Sequence, residues 1–168
     1  MSINNLVLIG MPGAGKSTLG VLLAKDRAQS FVDTDLLIQE KIGCTLQEYL
    51  DEYGYQKLRQ LEEDVIVSHR FENCVVATGG SAVYGRNAMA HLQKDGRILY
   101  LNISMATLAA RVRNQATRGI ACAPNSSMED VFKERQQLYL QYANDIIDMD
   151  SMTIDESLEE ILKMFKRE

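Results

Sequence analysis

The sequence predicts an α/β fold, a parallel sheet with helices on both faces. Two observations carry this. Short apolar runs alternate with stretches of helical periodicity along the chain, and one of those runs leads directly into a glycine-rich turn that opens a helix. Leu6–Gly10 is a continuous apolar run, the signature of a strand buried on both faces. Leu19, Leu22 and Leu23 recur at helical spacing and predict a helix from Lys16 to about Ala28. Phe31-Val32 heads a second strand that ends at Asp33. Thr45-Leu46-Gln47-Glu48 is a capping-box sequence and predicts a helix toward Tyr53, with a longer one over Gln56–His69. Cys74–Ala77 reads as a strand running into Gly79-Gly80, and Ile98–Asn102 as another. Helical periodicity returns over Met105–Arg113 and Met128–Tyr142. Ile146-Ile147 predicts a last strand, and Thr153-Ile154-Asp155-Glu156 caps a final amphipathic helix through Phe165. Asn114–Ser127 is long, polar and weakly patterned, which predicts a mobile functional loop or a disordered one.

Composition narrows the function classes. The chain has 168 residues, 46% hydrophobic and 24% charged, and reads as one domain over residues 1–168. A net charge of −5 argues against a nucleic-acid partner, which needs a basic face. No apolar run reaches the ~20 residues that span a bilayer, and the first residues show no signal-peptide pattern. Cys44, Cys74 and Cys122 lack CxxC spacing and read as reduced core or loop thiols. A cytoplasmic monomer acting on a small molecule is expected, with His69 and His91 on its surface.

The motif that carries chemistry is Gly10-Met11-Pro12-Gly13-Ala14-Gly15-Lys16-Ser17, which fits the phosphate-binding P-loop, G-x-x-x-x-G-K-[ST]. Its glycines let backbone amides curl around an anion, and the helix that follows presents its positive end. Gly13, Ala14, Gly15, Lys16, Ser17 and Thr18 are therefore expected to bind nucleotide. Lys16 would reach the terminal phosphates and the Ser17 hydroxyl would bind Mg²⁺. Asp33-Thr34-Asp35 stands at the carboxyl end of the second strand, where open parallel sheets keep their ligand crevice. One carboxylate there can face the metal and the other an acceptor hydroxyl. The alternative is an N-capping pair that only starts the next helix. No Asn-Lys-x-Asp stretch is present to read guanine.

The P-loop, Asp33-Thr34-Asp35, Leu58-Arg59-x-x-Glu62, Gly79-Gly80, Arg118 and Glu134-Arg135-x-x-Leu138-Tyr139, in that order, resemble the shikimate kinase family. The resemblance implies a three-layer α/β/α P-loop kinase fold with a five-stranded parallel sheet. It also implies a substrate-binding helical region near 34–62 and a lid near 113–127. The activity implied is transfer of the γ-phosphoryl group of ATP to the 3-hydroxyl of shikimate, with Mg²⁺. By the same resemblance Lys16, Asp33, Asp35 and Arg118 are catalytic, and Ser17 and Asp33 serve the metal. Asp35, Arg59, Gly79, Gly80 and Arg135 bind substrate, the two arginines through its carboxylate. Arg111 and Arg118 serve the nucleotide, Arg111 over the adenine. Taken singly, each arginine also reads as part of a solvated helix face. The chain departs from the family pattern at Tyr55, Leu58, Ser81, Gly119 and Gln137. Ser81 adds a Cβ and a hydroxyl where substrate comes close. Gly119 replaces the lid proline and should loosen that segment. A kinase of another hydroxy acid or sugar acid, or a nucleotide-binding relative without transfer, also fits the residues.

Overall fold

The computed structural model describes residues 5–112 and 120–165. Five strands form one sheet in the order β2-β3-β1-β4-β5. They are β1 (Asn5–Ile9), β2 (Ser30–Asp33), β3 (Cys74–Ala77), β4 (Gly96–Asn102) and β5 (Asp145–Asp148), and every pairing is parallel. The centre is the most apolar part: all of β1 and β3 is buried, as their unbroken apolar runs require. The edge strands β2 and β5 are partly exposed, and each buries fewer side chains.

The helices are α1 (Lys16–Asp26), α2 (Thr34–Ile42), α3 (Leu46–Tyr53), α4 (Tyr55–Ser68), α5 (Arg86–Asp95), α6 (Met105–Val112), α7 (Met128–Tyr142) and α8 (Ile154–Met164). The chain leaves β1 toward β2 and leaves β3 toward β4, in opposite directions across the sheet. Right-handed crossovers therefore lay α1 on one face and α5 on the other. α8 packs beside α1, and α4 beside α5. Two helices were not assigned from periodicity. α2 buries only Thr34 and Ile38 and so shows no apolar stripe, and α5 starts at Gly85 with no side-chain cap. A single 3₁₀ turn, Ala82–Tyr84, joins β3 to α5.

Among the described residues, complete capping boxes start helices at Thr45/Glu48, Ser127/Asp130 and Thr153/Glu156. The histidines do not stand free on the surface as expected. Both are half-buried around Phe71, and His91 Nε2 lies 2.8 Å from the His69 carbonyl. That cluster lies at the amino end of the sheet. The carboxyl ends of β1, β2 and β3 open on the other side, and the candidate site is there.

Candidate active site

The turn after β1 takes φ values that only glycine adopts easily: 148° at Gly10, 81° at Gly13 and 101° at Gly15. Gly15 is the N-cap of α1 and supplies no side-chain cap. The amino end of α1, with its positive dipole, therefore faces the glycine turn uncapped by its own N-cap residue, the arrangement that receives an anion. Lys16 is buried, and its Nζ donates to the Gly10 carbonyl at 2.7 Å and the Met11 carbonyl at 2.9 Å. Arg111, at the end of α6, donates from Nη1 to the Gly13 carbonyl at 2.7 Å. Arg111 thereby braces the turn through the Gly13 backbone.

Asp33 caps α2, as the N-capping reading has it, and also reaches the P-loop. Its Oδ1 accepts from the Asp35 amide at 3.0 Å and caps α2, while its Oδ2 accepts from the Ser17 hydroxyl at 2.6 Å. Thr34 between them is fully buried, and its hydroxyl accepts from the Gly79 amide at 3.0 Å. The strand end of β2 is thereby locked to the turn after β3. Among the described residues no group of three or more His, Cys, Asp or Glu could hold a metal. The two-oxygen corner of Ser17 and Asp33 still fits Mg²⁺, which keeps most of its ligands as water and phosphate oxygens.

A cavity of about 860 Å³ runs from this turn across the carboxyl ends of the strands. Gly13, Gly15, Lys16, Ser17, Thr18, Asp33, Asp35, Gly79, Gly80 and Arg135 all line it. Ala14 is buried behind the turn. Arg118 lies outside the described residues, as does the 113–119 part of the expected lid. Gly79 is squeezed: a Cβ there would stand 2.3 Å from Glu62 Oε1 and 2.6 Å from Asp35 Oδ1. Two carboxylates thus converge on one Cα, and only glycine fits between them.

The solvated-face reading of the arginines fails for Arg135, which is 1% exposed. Its Nη2 donates to the Ala121 carbonyl at 2.9 Å, and Arg59 Nη2 donates to the same oxygen at 2.9 Å. Two helices distant in sequence, α4 and α7, deliver guanidinium groups to one point. Both Nε atoms are buried with no hydrogen-bond partner among the described residues. Arg135 lines the cavity, whereas Arg59 lies behind Ala121. Buried donors left over on two cations are what an anionic ligand would satisfy.

Glu62, Ser81 and Tyr139 make contacts around the glycine turn that the sequence alone does not give. Glu62 is buried, its Oε1 has no hydrogen-bond partner among the described residues, and its Oε2 accepts from the Ser81 hydroxyl. Desolvation, and then the nearby Asp35 charge, push its carboxyl up to about 7 against the opposing effects of Ser81, Arg135 and Lys16. Ser81 is therefore bonded to Glu62 rather than projecting its hydroxyl unpaired toward ligand. Tyr139 hydrogen-bonds the Gly80 carbonyl at 2.6 Å from a stack on Tyr100, which fixes the glycine turn from below. The resemblance pointed to Glu62 and Tyr139 only as motif letters, and no sequence signal gives their contacts.

A family model described as shikimate kinase matches residues 12–166. The chain belongs to the shikimate kinase family. Within that family it is 34% identical over 168 residues to a shikimate kinase of Sulfurihydrogenibium sp. (strain YO3AOP1), covering 98% of this chain and 99% of the relative. It is similar in structure to the Acinetobacter baumannii shikimate kinase in complex with shikimate, at a TM-score of 0.86 and 27% identity over 96% of this chain and 92% of that one. The Aquifex aeolicus shikimate kinase aligns at a TM-score of 0.79 with 25% identity, covering 95% of this chain and 94% of that one. The two solved structures align with this chain over nearly its whole length and so share its fold.

Proposed function

We propose that the protein transfers the γ-phosphoryl group of ATP to the 3-hydroxyl of shikimate. The observation that carries this is the pair of guanidinium groups converging on one point beside a P-loop cavity. Shikimate carries one carboxylate and three hydroxyls, and an arginine fork suits the carboxylate. Family membership and the Acinetobacter baumannii complex support the same acceptor.

The chemistry is positioning and charge neutralisation, with no covalent step on the protein. The amides of 13–18 hold the phosphates, and Lys16 moves from its carbonyl partners to the transferring group. Arg59 and Arg135 hold the acceptor carboxylate and fix the ring. Asp35 accepts the proton of the attacking hydroxyl as its oxygen bonds to phosphorus and the bond to ADP breaks. Ser17 and Asp33 would hold Mg²⁺, which neutralises phosphate charge when bound. Arg118 belongs to this reading as a further cation for the phosphates, and Arg111 as a nucleotide neighbour.

The test is ADP release from Mg²⁺-ATP with shikimate, with its carboxamide, and with neither. Shikimate should stimulate ADP release by orders of magnitude and the amide poorly. Arg59→Ala and Arg135→Ala should each raise the shikimate KM at least about tenfold, with the ATP KM within a few-fold. Equal use of amide and acid would remove the carboxylate from the reading. Equal ADP release with and without shikimate would remove the acceptor.

A further inference from the structure

We propose that Tyr84 is a positioning residue, its ring the platform that sets Arg59 for the acceptor carboxylate; the inference rests on the function proposed above. Tyr84 ends the 3₁₀ turn that follows Gly79-Gly80-Ser81, so its place is tied to the glycine turn on the cavity wall. The Arg59 Cζ lies 3.5 Å from the centroid of its ring, and the Arg135 Cζ lies 5.6 Å away. The ring's hydroxyl donates to Glu134 on α7. Tyr84 therefore touches the machinery from α4 and from α7 at once.

Hydrogen bonding does not fix the Arg59 guanidinium by itself. One Nη donates to the Ala121 carbonyl, and among the described residues the Nε has no hydrogen-bond partner and no carboxylate pairs with Arg59. What remains is the aromatic surface, with Tyr84 close and Tyr55 at 5.0 Å. That choice has a chemical consequence. A carboxylate partner would occupy the in-plane N–H edges of the guanidinium, the same edges that fork an acceptor carboxylate. A ring takes the face and leaves the edges free of any charged partner, so a ligand there competes only with the neutral Ala121 carbonyl. Burial raises the Tyr84 phenol above its ordinary range, with Glu134 adding to this and Arg135 and Arg59 opposing it, so at neutral pH it remains a donor to Glu134.

Steady-state kinetics and melting temperature are measured for wild type, Y84F, Y84M, Y84L, R59A and R59A/Y84M. Two apolar replacements are made so that one misfolded protein does not end the test. Losing a partly desolvated cation–π contact should raise the shikimate KM about five- to thirtyfold in Y84M and Y84L. kcat should stay within about threefold and the ATP KM within about twofold. Y84F keeps the ring and should restore the shikimate KM to within about twofold of wild type. Y84M in the R59A background should add no more than about twofold, because the contact is already gone. A shikimate KM unchanged in Y84M, a fall in kcat and melting temperature without a KM change, or additive losses in the double variant would each overturn the role of Tyr84. If wild type itself makes no use of shikimate, the proposed function falls and this inference with it. Normal wild-type turnover with unaffected variants sinks this inference alone.

Discussion

Asp33 gives one oxygen to the backbone of α2 and the other to Ser17, so local stability and chemistry meet in a single carboxylate. The two roles separate by substitution. Asparagine caps a helix about as well as aspartate but brings no charge. Asp33→Asn should keep the melting temperature within about 2 °C of wild type, while phosphoryl transfer falls at least about tenfold. Asp33→Ala should lose the transfer and also the cap, lowering the melting temperature by about 2–4 °C. Calorimetry beside an ADP-release assay reads both; an equal loss of stability in both variants would mean the charge itself holds the fold. Residues such as Lys16, Ser17 and Asp33 were legible because motif spacing and one strand end fix their geometry. Arg59 and Arg135 were legible only through the family resemblance, since nothing local makes two helices point at one carbonyl. The Ser81–Glu62 and Tyr84–Arg59 contacts were not legible at all. They depend on where a 3₁₀ turn aims its side chains, and that turn has no periodicity to read.

At the scale of elements, continuous apolar runs and capping boxes were the readable signals. β1, β3 and β4 and the starts of α3 and α8 fell where these signals put them, and α7 fell where helical periodicity did. α2 was legible only through its Asp33 cap and the resemblance, since it has no apolar stripe, and α5 escaped because no side-chain cap marks its start. Strand order was beyond periodicity, because it is set by which way each crossover turns. Equivalent caps should also have unequal effects. α3 has no buried residue, whereas α8 buries Ser157 and Ile161. Thr45→Ala should speed amide exchange over 46–53 about fivefold and leave the melting temperature nearly unchanged. Thr153→Ala removes the same kind of cap from a helix seated in the core and should lower the melting temperature by about 2–4 °C. Equal melting losses in the two variants would show α3 to be part of the cooperative unit.

For the whole molecule, Glu62 couples stability to pH. Its carboxyl is raised to about 7 in the fold, against an ordinary 4.5, so the folded protein holds a proton that the unfolded chain releases. The stabilisation is complete below about pH 4.5, is lost as pH rises toward 7, and changes no further above that. Glu62→Gln removes the titration. The stability of the variant relative to wild type should therefore increase between pH 5 and pH 8, by on the order of a few kcal/mol, in urea unfolding at the two pH values. A constant difference would place the Glu62 proton elsewhere. The shared carbonyl of Ala121 carries a different consequence. It occupies N–H groups of both arginines that, on the proposed function, the acceptor must use. Chain and ligand are then rivals for the same donors. The protein fills its own anion site with a neutral oxygen, and every acceptor must first displace it. Any measured affinity is a difference, smaller than the intrinsic grip of the two guanidinium groups by whatever that internal contact is worth.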